Sequence, residues 1–325
     1  MTALTSRSLS SPFARLSLTR PTRAHADIAA AYLCMAILVV TAAMPDARDS
    51  EAAARAATSV ATGTIALPGT ETTLGFYLGA PYHYPSDFHL QKAGHTDLTI
   101  KDVEWYTHPF EHPLYYGARI QRWLGGGRFG TMIDFTHSKA YAPMDQFSDM
   151  EGTVEGKPVK DLSIPEKPGM LSPRQLFDKL EWTHGHNMLT LNGLMRFANF
   201  GRISPYAGVG AGISLPHSEI HLLSDPARTY EYQYTGPVAQ ALVGVEFRLK
   251  TGSVFVEYKF TSANYWGPLT FRDGTWFPMD MWRQLSRWWS GEEPPGGWAG
   301  AKLTSHQVIS GFLVRSVPAN ATIAK

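Results

Sequence analysis

The chain has 325 residues, 44% of them hydrophobic and 18% charged, with a formal net charge of +1. Near-neutrality leaves no polybasic field for nucleic acid. The single cysteine, Cys34, lies in a leader-like segment, so a chain without that segment has no disulfide, thiolate metal site or cysteine nucleophile.

Residues 1–47 read as a signal peptide: Arg7, Arg15, Arg20 and Arg23 precede the uncharged, mostly apolar Ile28–Ala43. Cleavage after Ala43 or Ala47 fits the small residues there, and the run is shorter than the ~20 apolar residues of a spanning helix. A retained N-terminal anchor is the alternative. Residues 48–72, rich in Ala and Thr, read as a flexible lead-in.

A two-residue hydrophobic period then recurs along the chain. It marks strands at Thr73–Ala80, Tyr115–Leu124, Phe129–Tyr141, His186–Phe197, Ile203–Leu215, Tyr230–Leu249, Ser253–Thr261 and Thr304–Arg315. Ile203–Leu215 shows it most plainly, with Ala207, Val209, Ala211 and Ile213 on one parity and Gly208, Gly210 and Gly212 on the other. Such an empty second face suits a narrow, curved interior. The connections alternate long and short, as expected for an all-β, eight-stranded antiparallel up-and-down transmembrane β-barrel over residues 73–315. It would have four long external loops (81–114, 142–180, 216–229 and 262–303), three short periplasmic turns and a C-terminal tail at 316–325. Both barrel termini would then lie in the periplasm of a Gram-negative cell, with the chain a monomer in its outer membrane. A lipocalin-like soluble barrel is the rival, but it would place bulk on the inner parity.

Asp134, Arg119, Arg196, Glu246, Arg248, Glu257 and Lys259 have inward parity, and buried charges persist when paired. One allowed register sets Glu246 against Lys259 and Arg248 against Glu257. A polar plug is the plain reading of this set. His137, Lys139 and Tyr141 share the lipid-side parity where the third strand leaves the membrane. There His137 can transfer a proton and Lys139 can bind an anionic oxygen of a lipid headgroup; interface decoration is the plain alternative. His184 and His186 have the spacing of a two-residue metal clasp, so a divalent metal is a candidate cofactor if a third ligand arrives from a loop. Pro278–Trp289 can form a helix with Met281, Trp282, Leu285, Trp288 and Trp289 on one side, lying either in the headgroup layer or as a lid. There is no nucleotide or flavin motif.

The segments Tyr115–Gly117, Asp134–Ala142, Asn187–Phe197, Ser204–Pro216 and Thr229–Gly236 resemble a family of rhizobial outer-membrane barrels known as lipid A oxidases. The resemblance covers roughly residues 73–261. It implies oxidation of the proximal glucosamine of lipid A to 2-aminogluconate, with oxygen as oxidant and hydrogen peroxide released, and lipopolysaccharide as the partner. On that expectation His137 is the base on the anomeric hydroxyl, with Asp134 and Tyr141 positioning groups around it and Lys139 binding substrate. The alternative is a non-catalytic structural or surface-binding outer-membrane barrel.

Overall fold

A computed structural model describes residues 70–315 apart from Gly126, Ile164, Ala198, Asn199, Pro226, Thr251 and Thr275. The expected signal peptide, most of the expected lead-in and the expected C-terminal tail lie outside the described residues. In chain order the strands are β1 (Glu71–His83), β2 (Ser86–Lys92), β3 (Thr96–Val103), β4 (Tyr116–Trp123), β5 (Phe129–Tyr141), β6 (Ser148–Val154), β7 (Lys157–Pro158) and β8 (Met170–Leu171). They continue as β9 (Phe177–Arg196), β10 (Ile203–Ser214), β11 (His217–Leu222), β12 (Thr229–Tyr232), β13 (Gly236–Arg248), β14 (Gly252–Asn264), β15 (Gly267–Pro268) and β16 (Trp298–Arg315). Among the described residues two α-helices, α1 (Val159–Leu162) and α2 (Phe277–Ser290), and a 3-10 turn at Pro173–Gln175 lie between them.

Among the described residues, eight long antiparallel strands close in the order β1-β4-β5-β9-β10-β13-β14-β16, and β16 returns to β1. Closure leaves the wall without an unpaired edge, the condition for strands to cross lipid. The alternation places Leu74, Phe76, Ile120, Ile133, Leu191, Val209, Val243 and Phe312 on the outer face, all exposed large hydrophobics. A continuous apolar belt around a closed barrel is a lipid-facing wall.

The expected long loops are largely ordered. Strands β2, β3, β6 and β7 form a second sheet attached to the first four residues of β16, while β11 pairs with the extended start of β9. Strand β9 begins nine residues before the expected His186, and β16 six residues before Thr304. The extensions and added strands bury a large apolar core beyond the wall, with Phe88, Ile100, Trp105, Phe177, Trp182, Tyr265 and Leu303 at its centre. The expected single strand Tyr230–Leu249 is interrupted, because Thr235 donates its amide to Ser214 and Gly236 takes φ 149°, which turns the chain.

Side chains fill the lumen in two layers. In one, Arg119 forks onto Glu257 at 2.8 and 2.9 Å and donates Nε to Asp134 at 3.1 Å. Lys259 reaches Asp134 at 2.6 Å, Tyr206 donates to Glu257 at 2.7 Å, and Tyr77 donates to Asp134 at 3.1 Å. Nearer the short turns, Arg196 bonds Glu246 at 2.8 Å and Glu71 at 3.3 Å while lying 3.8 Å over the Trp123 ring.

The expected β13–β14 register is corrected here. Glu246 faces Phe255 and Arg248 faces Ser253, so Lys259 lies opposite Leu242 and Glu257 opposite Gly244. The tight turn, closed by the Leu249 amide on the Gly252 carbonyl, sets the offset. The inward parity is kept, and the charges find partners across the lumen instead of across the hairpin.

Each of these carboxylates is satisfied only by its partners, so removing one leaves the other charge uncompensated. Glu257→Gln should cost about 3–5 kcal/mol of unfolding free energy, and Tyr206→Phe about 1–2 kcal/mol. Urea unfolding in detergent micelles, followed by tryptophan fluorescence, measures both.

Candidate functional site

Along the outer face of β5 the side chains run Phe129, Ile133 and Phe135 and then change to His137, Lys139 and Tyr141. The same change occurs on β9, where Leu191 and Leu189 give way to Asn187. Two adjacent strands thus turn polar at one level, where the apolar belt ends on the capped side. The His137 ring stacks on Tyr116 of β4 at 4.7 Å and 20°, and is almost fully buried.

Its tautomer is set by a short chain of bonds. The Asn187 amide nitrogen donates to the Leu215 carbonyl at 3.2 Å, which directs Oδ1 at His137 Nδ1, 2.8 Å away. An amide oxygen only accepts, so Nδ1 carries the proton and Nε2 holds the lone pair. That Nε2 is buried and makes no hydrogen bond. A neutral imidazole held this way is a base awaiting a proton.

Backbone geometry makes room for this arrangement. Between Ser138–His186 and Ala140–Trp182 the β5–β9 pairing shifts, with three residues of β9 against one of β5. Gly185, inside the bulge, has φ 141°, and a Cβ there would fall 2.2 Å from the Asn187 amide nitrogen. Only glycine leaves Asn187 its place.

The bulge also throws His184 outward. Its ring lies 5.4 Å from His217 and 5.1 Å from Tyr230, and its Nδ1 is 3.8 Å from Glu219. His217 donates Nε2 to the Gly274 carbonyl at 3.1 Å, is flanked by Tyr230 and Tyr232, and leaves Nδ1 buried without a partner. Burial, aided by the neighbouring His184, holds the His217 imidazole below its ordinary value of 6.5. Glu219, also on the outer side of the hairpin, accepts from Lys179 at 2.8 Å and Arg228 at 3.2 Å.

The residues singled out in the sequence are therefore divided between two faces. His137, Lys139 and Tyr141 lie on the outer side, where the Lys139 ammonium is 5.7 Å over the Tyr141 ring and donates to the Glu111 carbonyl at 3.1 Å. Asp134 is in the lumen, bonded to Arg119, Lys259 and Tyr77, on the opposite side of the wall from His137. Alternation itself requires that separation. His184 and His186 part in the same way: His186 is fully buried against His83 and Tyr265 inside. Among the described residues no three His, Cys, Asp or Glu side chains converge in a metal-holding group. Asn187, His217 and Tyr116 escaped the sequence reading as site residues. Asn187 and Tyr116 share His137's lipid-side parity at the polar limit of the belt, and that was the available signal.

No family model and no curated protein matches this chain. Solved outer-membrane proteins are similar to it in structure. OprG from Pseudomonas aeruginosa is 11% identical, with 77% of this chain and 97% of that one covered and a TM-score of 0.39. AlkL in lipid bilayers is 12% identical (80% and 97% covered, TM-score 0.35), and the outer membrane protease OmpT from Escherichia coli is 10% identical (78% and 100%, 0.35). The chain is a transmembrane β-barrel of the outer-membrane type. That conclusion rests on the closed wall and its apolar belt.

Gly185→Ala should push the Asn187 amide aside and release the His137 ring, seen as loss of a single imidazole tautomer in nitrogen NMR with the barrel still folded. For His217, a folded-state value below 6.5 means that the neutral ring's stabilisation is complete above 6.5 and is lost as pH falls through the folded value. Acidification from about pH 7.5 to about 5.5 should therefore lower the amide protection factors of the β11–β12 hairpin, exchange being taken relative to the intrinsic rate at each pH. Glu231 and Asp280, held above their ordinary values by burial, act in the opposite sense. The difference between wild type and His217→Gln isolates the histidine.

Proposed function

We propose that this barrel sits in the outer membrane of a Gram-negative cell with its cap outside, and that it modifies lipid A, the lipopolysaccharide anchor, at the His137 cluster. The observation carrying this reading is convergence. Four of the five sequence segments that resemble lipid A oxidases each bring one group into a single chain of contacts, Tyr116, His137, Asn187 and the Leu215 carbonyl, and the fifth supplies Tyr230 and Tyr232 against His217. The cluster lies on the outer wall where the apolar belt ends, the level at which a glycolipid holds its acyl chains against the belt and its sugar above it.

The reaction class follows the resemblance. His137 Nε2 takes the proton of the anomeric hydroxyl of the proximal glucosamine as the C1–H and O–H bonds give way to a C1–O double bond. The two electrons and two protons pass to molecular oxygen, which leaves as hydrogen peroxide. Water then opens the lactone to 2-aminogluconate. Lys139 and Tyr141, beside His137 on the same face, offer a cation and a hydroxyl to the sugar's oxygens. Asp134 takes no part in this chemistry and serves to hold the lumen together.

Mass spectrometry of lipid A from aerobically grown cells tests the reading. A species with one added oxygen atom on the proximal sugar should be present with the wild-type chain and absent in the deletion. It should fall about 10²–10⁴-fold with His137→Gln, the range for loss of a general base, while heat-modifiable gel migration shows the variant barrel intact. Identical lipid A in wild type and deletion overturns the proposal.

A further inference from the structure

Helix α2 presents its faces in an unusual way. Asp280, Gln284 and Arg287 are buried, whereas Trp282, Leu285, Trp288 and Trp289 are exposed, Trp289 at 91%. Its polar side is the side that holds it to the protein. The Gln284 amide both donates to the Tyr234 carbonyl and accepts from the Tyr234 amide, each at 2.8 Å, and Asp280 accepts from the Tyr232 amide at 3.3 Å. Phe277 packs edge-on against Tyr232 and Trp288 against Tyr234. These contacts fix the helix's rotation, so Trp282, Leu285 and Trp289 are turned away from the protein, with Trp288 half-exposed at the edge of the face.

The height of the helix follows from the strand it is tied to. A strand rising ~3.3 Å per residue and tilted ~40° climbs ~2.5 Å per residue along the membrane normal. The outward residues of β13 from Phe247 to Pro237 thus span ~25 Å, the full height of the apolar band of a barrel wall. Tyr234, three residues before Pro237 in the chain, lies no more than ~10 Å above that band, within the lipid headgroup region. Tryptophan is the residue enriched at that level, since its ring is apolar and its N–H is polar. The exposed face is continuous with an interface the barrel already has, its lipid belt.

We propose that α2 lies in the headgroup layer at the capped end, with the Trp282–Trp289 face inserted into lipid. An interfacial helix of this kind is held by its aromatic side chains, with charged side chains such as Arg283 reaching the phosphates. Lipid is the partner because face, depth and composition all match a bilayer boundary. The assignment depends only on the barrel spanning a membrane, and stands or falls separately from any reaction at His137.

The test uses the full chain with Cys34→Ser and Trp289→Cys, labelled with an environment-sensitive nitrobenzoxadiazole fluorophore and reconstituted in phosphatidylcholine vesicles. The label should emit at shorter wavelength than one at the exposed Lys160, lose most of its emission when the acyl chains are brominated, and resist iodide. Adding Trp282→Ser, Leu285→Ser and Trp288→Ser should abolish the shift and the bromine quenching while heat-modifiable migration is retained. A label as iodide-accessible as that at Lys160, and unquenched by bromine, overturns the proposal. So does shielding that grows with protein density and is accompanied by crosslinking between copies, because a second chain would then cover the face.

Discussion

Everything in this molecule depends on the charges of the lumen being matched. A narrow barrel must fill its interior, and here the filling is ionic: Asp134 takes Arg119 and Lys259 at once, while Glu257 takes both arms of Arg119 and the Tyr206 hydroxyl. Charges removed from water are tolerated only with such geometry. Because these partners come from four strands, β4, β5, β10 and β14, the bonds reach across the interior and fix the circumference as well as the register. The inner glycines of β10 belong to the same constraint, since a Cβ on Gly210 would fall 2.2 Å from the Asn192 carboxamide oxygen.

The rigid wall lets the outer face hold an arrangement that a loop could not. His137 is oriented by Asn187, Asn187 by the Leu215 carbonyl, and the space for Asn187 by the bulge at Gly185. Two wall strands and the end of a third therefore set one imidazole tautomer. The cap contributes the second layer, with the β11–β12 hairpin carrying His217, Tyr230 and Tyr232 alongside.

Much of the fold was legible as alternation, because lipid outside and polar side chains inside impose a period of two on every spanning strand. The positions of Ile133, Val209 and Val243 outside and of Asp134, Glu257 and Lys259 inside follow from it directly. What alternation cannot carry is offset. Shifting β13 against β14 by an even number of residues keeps every side chain on its face, so the partners of Glu246 and Glu257 were free until the Leu249–Gly252 turn and the cross-lumen bonds chose them. Bulges are hidden for a related reason: two extra residues at Gly185 restore the parity beyond them, yet send His184 and His186 to opposite sides. In α2 the periodic pattern separated the two faces except at Arg283, which is exposed, but could not say which one would meet protein, and the backbone of Tyr234 drew Asp280, Gln284 and Arg287 inward.

The filled lumen also sets the dimensionality of whatever the molecule does. With Arg119, Asp134, Glu257 and Lys259 closed across the interior, the barrel offers no axial route to the His137 face. On the function proposed above, a lipid reaches that face in the plane of the leaflet. Encounter rates there scale with the surface mole fraction of a lipid and its lateral diffusion, and dilution of the surrounding solution leaves them unchanged.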